Sequence, residues 1–71
     1  MLRMRARRYI QYARALYVSK DMSCCFYAVE GLRLAKAAGS QYNIRQVKDL
    51  AKELAARFPH DERVKELLHE L

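Results

Sequence analysis

The chain has little of what breaks a helix: one proline, Pro59, and two glycines, Gly31 and Gly39, in 71 residues. Strand signals are missing as well, since no stretch alternates apolar and polar residues with β-branched enrichment. Cysteine is confined to the neighbours Cys24 and Cys25. Adjacent helical residues point about 100° apart, so a disulfide between these two would need a strained, non-helical turn. That excludes a disulfide scaffold and reads as a reduced, intracellular protein whose cysteines fill core space. There is no C-x-x-C, and His60 and His69 stand far along the chain, so no metal site is expected.

No apolar run approaches the roughly 20 residues that span a bilayer. No apolar stretch with a small-residue cleavage site follows the basic start, so a secretory leader is not expected. An Arg-rich, acid-poor beginning suits a transit peptide in principle. Residues 9–18 are too apolar and too regularly patterned for a discarded leader, and the expected location is cytoplasmic.

Catalytic signatures are absent too: no P-loop, G-x-G-x-x-G, G-x-S-x-G or H-E-x-x-H occurs. Glu62 and Glu66 stand one turn apart, but two exposed acids on a charged face explain them. Neither His60 nor His69 has an evident partner. The expectation is a non-enzyme without cofactor.

The most telling absence is of acid. Residues 1–20, MLRMRARRYIQYARALYVSK, hold six Arg or Lys and no Asp or Glu, whereas the rest of the chain holds eight of each sign. The whole net charge of +6 therefore sits at one end, which points to an anion-facing segment and not to an all-round polycation.

What is present is the palette of good helix formers, with 52% hydrophobic and 31% charged residues, as expected of one folded helical domain. Four helices are predicted, at about residues 3–18, 22–38, 43–58 and 61–71. On a helical wheel Leu2, Ala6, Tyr9, Ile10, Ala13, Leu16 and Tyr17 form one face of the first. Arg3, Arg7 and Arg14 line one edge of that face, with Gln11 beside them; Arg5 and Arg8 lie elsewhere on the polar side. Ser19 or Asp21 in the following SKD stretch can cap the second helix. In that helix Cys25, Ala28, Val29, Leu32 and Ala35, widened by Tyr27, Leu34 and Ala38, make an apolar surface broad enough for several neighbours. Gly31 costs about 1 kcal/mol there relative to Ala unless another backbone packs against it, and Gly39 is the expected left-handed end. For the third helix Asn43 is the expected cap, with Gln46 completing a capping box and Tyr42 and Val47 a hydrophobic staple. Ile44, Val47, Leu50, Ala51, Leu54, Ala55 and Phe58 follow helical spacing without a miss. Pro59 stops it, and Asp61 caps a last helix carrying Val64, Leu67, Leu68 and Leu71 on one face. Short loops favour antiparallel neighbours, so the expected fold is all-α, either two stacked hairpins or a small four-helix bundle.

From residue 27 onward the chain resembles the tetratricopeptide-repeat type of helical hairpin. YAVEGLRL offers Tyr27, Gly31 and Leu34 in the spacing of that family's first helix. LAARFPHD resembles the close of its second, with Pro59 at the turn, and ERVKELLHEL resembles the first helix of a following unit. The link from Gly31 to Pro59 is longer than the family's, Trp is absent, and Ala51 stands where a large residue is usual. The resemblance implies a superhelical stack that binds proteins or peptides without catalysis.

Two functional expectations follow. The first is a small interaction module that binds another protein or a second copy of itself through apolar helix faces, with Tyr27, Leu34, Leu67, Leu68 and Leu71 as candidate interface residues. The second is a nucleic-acid-binding accessory protein that contacts RNA or DNA through Arg3, Arg5, Arg7, Arg8 and Arg14, with Tyr9 or Tyr12 able to stack on an unpaired base. Arginines crowding a helix amino end oppose the macrodipole, a local conflict of the kind found at functional positions. Four phosphate contacts to duplex DNA would give a log–log salt slope of about −3.6. Base-specific reading is disfavoured because Asp49 and Glu53 on the third helix would meet the same phosphates. A membrane-surface role for the amphipathic first helix is a lesser expectation.

Overall fold

The computed structural model describes residues 1–71 as four helices and no strand: α1 (Leu2–Val18), α2 (Cys24–Ala38), α3 (Gln41–Arg57) and α4 (Glu62–Glu70). The all-α expectation holds. α1 packs most intimately with α2, α2 touches all three other helices, and only α1 and α4 make no contact. The wide apolar surface of α2 is thus consumed within the chain, where Cys24, Cys25, Ala28, Val29, Gly31, Leu32 and Ala35 are all buried.

Three contacts fix how α1 lies on α3. Asn43 Nδ2 donates to the Arg3 carbonyl at 3.4 Å, Arg14 meets Glu53, and Arg57 Nη1 donates to the Tyr17 hydroxyl at 3.3 Å. Each joins residues 39 or 40 apart, so α1 and α3 run side by side in the same direction at nearly constant register. With short loops, α2 must then run opposite to both, which makes the fold two stacked antiparallel hairpins, α1–α2 and α3–α4. The shared core joins Ile10 and Ala13 of α1, Leu32 of α2, Val47, Leu50, Ala51 and Leu54 of α3, and Val64 and Leu67 of α4.

α1 and α2 end in the same way. Lys20 (φ 60°) and Gly39 (φ 65°) both take the left-handed conformation. Asp21 N–H donates to the Leu16 carbonyl and Ser40 N–H to the Ala35 carbonyl, each at 2.9 Å, the long bond of a Schellman ending. Gly39 is as expected; the lysine at the corresponding position was not anticipated. Because Lys20 turns the chain, α2 begins at Cys24 instead of Met22. Asp21 Oδ1 accepts from Ser23 N–H at 3.0 Å and from Ser23 Oγ at 2.8 Å, which organises the tight turn entering α2.

The start of α3 departs from the expected capping box. Ser40 is the N-cap, its Oγ accepting from Asn43 N–H at 3.4 Å, and Tyr42 is 68% exposed, so it staples nothing to Val47. Asn43 is a buried first-turn residue whose amide ties α3 to the Arg3 carbonyl, and that tertiary bond takes it out of the capping position. Asp61 caps α4 as expected, accepting from Arg63 N–H at 2.8 Å.

Gly31 is where α1 and α2 come closest. A Cβ there would stand 2.9 Å from Ile10 Cγ1, 3.4 Å from Tyr9 Cβ and 3.5 Å from the Ala6 carbonyl oxygen. The missing side chain lets the two backbones approach, as the sequence suggested.

Candidate functional site

The basic residues of α1 divide into two groups once α3 is in place. The edge carrying Arg3, Arg7 and Arg14 lies along α3, where Arg7, Gln11 and Arg14 face Tyr42, Asn43 and Gln46 across a shallow cleft. A second depression towards the amino end of α1 shares Arg7, Tyr42 and Asn43 with it and is bordered also by Arg3, Met4 and Ser40. Arg14 is already engaged, with Nη1 2.6 Å from Glu53 Oε2. Of the five arginines expected to meet an anion, Arg14 is therefore the one already neutralised by a carboxylate.

The other four differ. Arg33, Arg63 and Lys65 pair with carboxylates elsewhere, and no ion pair involves Arg3, Arg5, Arg7 or Arg8. All four are exposed and sit at the amino half of α1, where no acidic residue occupies the first turn. This concentrates unopposed positive charge on one end of one hairpin.

On the outward side of α1 that charge adjoins aromatic rings. Arg5, Arg8 and Tyr12, spaced three and four residues apart, form one row along the helix. Arg8 borders an open depression together with Tyr9, Tyr12 and Tyr27. Tyr27 of α2 is the hub of the cluster. Its ring centroid lies 6.1 Å from that of Tyr9 in a stacked arrangement, 4.7 Å from Tyr12 edge-on and 5.2 Å from Phe26 edge-on. Tyr12 is 52% exposed and Phe26 61%. Phe26 was not singled out from the sequence. The available signal was that it falls off the core face of α2, so its ring had to be either exposed or packed on another aromatic.

The residues expected to form an apolar interface do not come together as one surface. Tyr27 belongs to the aromatic cluster, and Leu34 is half-buried on α2. Leu67 is fully buried and unavailable to a partner, because it and Val64, one turn apart, are the residues α4 turns inward. Leu68 and Leu71 are partly exposed at the edge of α4. Lys36 Nζ donates to the Glu70 carbonyl at 2.6 Å, and Arg33 Nε lies 3.6 Å from Glu70 Oε1, so the end of α4 is fastened to α2.

Both cysteines are free and buried. Burial pushes the Cys24 thiol above its ordinary value and the Cys25 thiol up to about 12, the latter also through its neighbour Cys24. Thiols so held stay protonated, and protonated thiols are poor nucleophiles. His60 and His69 are exposed, as are Glu62 and Glu66, with Glu62 3.7 Å from Lys65. Groups of three or more His, Cys, Asp or Glu that could hold a metal ion do not occur, and no helix is long and apolar enough to cross a membrane. In comparisons with known proteins, no family model, no curated protein and no solved structure matches this chain.

Proposed function

We propose that this chain is a small helical binding module, working without catalysis in the cytoplasm, that takes an anionic macromolecule on its amino-terminal helix. One observation carries the reading: Arg3, Arg5, Arg7 and Arg8, all exposed, crowd the start of α1 with no ion-pair partner and no acidic residue in the first 20 positions, whereas the unpaired Arg45, Lys48 and Lys52 of α3 share their helix with Asp49 and Glu53. Unpaired cations gathered at the end of a helix whose dipole already opposes them are a cost to the fold that an anionic partner relieves. The tetratricopeptide-like pattern of residues 27–71 agrees with a binding role.

The test is retention on immobilised heparin, for the intact chain and for a variant with Arg3, Arg5, Arg7 and Arg8 changed to Gln. The intact chain elutes at clearly higher salt, and circular dichroism shows the variant equally helical. Elution of both at the same salt overturns the proposal. A second reading, self-association, rests on the exposed Leu68 and Leu71 edge of α4. Sedimentation that shows a dimer lost in Leu68→Ser would favour it.

A further inference from the structure

The exposed rings beside Arg5 and Arg8 narrow the partner further. We infer that the surface formed by Arg5, Arg8, Tyr12, Tyr27 and Phe26 binds single-stranded nucleic acid, with bases stacking on the rings and phosphates meeting the arginines. The inference rests on the proposed anion-binding role and adds the class of partner.

Two properties have to be satisfied at once on this surface. One is charge: the α1 arginines are unpaired, so the partner must be anionic along its length. The other is shape. The depression bordered by Arg8, Tyr9, Tyr12 and Tyr27 is wide open, and it presents flat aromatic faces and edges instead of a deep aliphatic groove of the kind that receives an amphipathic helix. Single strands combine regularly spaced negative charge with ring faces that stack on Tyr or Phe, each stacked base contributing roughly 1–3 kcal/mol. A duplex meets the charge but hides its base faces, so the rings would go unused. The row from Arg5 to Tyr12 covers about 10 Å of helix at about 1.5 Å per residue, the length of about three stacked bases at about 3.4 Å each. Arg8 stands beside Tyr12 and Tyr27 at the depression and Arg5 one turn further along α1, so a strand stacked on Tyr12 and directed towards the start of α1 brings its phosphates to both guanidinium groups.

Fluorescence anisotropy tests this with the full chain and a labelled 12-nucleotide RNA of mixed sequence, against a duplex of the same length, a poly-glutamate peptide and phosphatidylserine vesicles. Three variants accompany it: Tyr12→Ala with Phe26→Ala, Arg5→Gln with Arg8→Gln, and Leu68→Ser as a distant control. Both aromatic residues are largely exposed, so the fold is retained, and circular dichroism checks it. The expected result is tighter binding to the single strand than to the duplex. The aromatic variant weakens single-strand binding about tenfold or more with its heparin retention unchanged. The paired arginine variant lowers the salt slope by about 1.4. Equal binding of duplex and single strand, indifference to the aromatic variant, or preference for the peptide or the vesicles overturns the nucleic-acid inference and leaves anion binding standing. Failure to bind any of the four probes, together with loss of heparin retention as a difference between intact and arginine-free chains, overturns both.

Discussion

Arg14 and Glu53 form the only ion pair between the first and third helices, with Nη1 2.6 Å from Oε2. The sequence placed Arg14 in one row with Arg3 and Arg7, and the structure separates it from them by giving it a carboxylate. Both side chains remain partly exposed, so solvent screens the pair. A double-mutant cycle with Arg14→Gln and Glu53→Gln is expected to return a coupling of about 0.5 kcal/mol in urea denaturation. Heparin retention of the double variant, Arg14→Gln with Glu53→Gln, should match that of the intact chain, because the pair is removed with no change in net charge. A large drop in retention would return Arg14 to the anion-contact group.

Gly31→Ala sets two effects against each other. Alanine gains about 1 kcal/mol of helix propensity, but its Cβ would stand 2.9 Å from Ile10 Cγ1, on a stiff β-branched side chain that cannot swing away. Overpacking of this kind costs about 1–3 kcal/mol. The expected net change is a loss of about 1 kcal/mol, measured by chemical denaturation. A more stable variant would mean that α1 moves off α2 freely.

Lys20 and Gly39 occupy equivalent positions in two equivalent helix ends, and only one is glycine. Lys20→Gly relieves a side chain held at φ 60° and is expected to stabilise by up to about 1 kcal/mol. Gly39→Ala meets no atom within 4 Å, yet its φ of 65° makes it destabilising by a similar amount. Thermal melts of the two variants should therefore shift in opposite directions, and shifts of the same sign would contradict the matched endings.

The buried cysteines predict an alkaline limit. In the unfolded chain a thiol ionises near its ordinary value of 9.0, whereas folded Cys25 holds its proton to about 12. Stability from this difference is fully present below about pH 9 and is lost as pH rises from there towards 12. Cys25→Ala should flatten this part of the stability profile, measured by denaturant titration from pH 8 to 11. At pH 7.5 an aromatic disulfide reagent should modify the folded protein only as fast as it unfolds; rapid modification would contradict the burial.

Most of the architecture could be read from local chemistry. Gly39, Pro59 and Asp61 act where they stand, and the apolar spacing of α3 alone fixes its buried face. What escaped reading depends on contacts between distant residues. Asn43 has the chemistry of a cap, but its amide is needed 40 residues away on the Arg3 carbonyl, so Ser40 caps instead. Leu67 and Leu68 are equal as letters, and only the docking of α4 decides which is buried. For the candidate surface, the arginines were evident and their division was not, because Glu53 reaches Arg14, and Tyr27 reaches Tyr9 and Tyr12, only in three dimensions.

The absent side chain at Gly31 reaches beyond packing. By letting α1 settle against α2, it sets the spacing at which Tyr9 and Tyr12 meet Tyr27. The rings are thereby locked on two rigid helices instead of being carried on a loop. A partner arriving at this surface finds the platform assembled, and little conformational freedom is left to be lost when it docks.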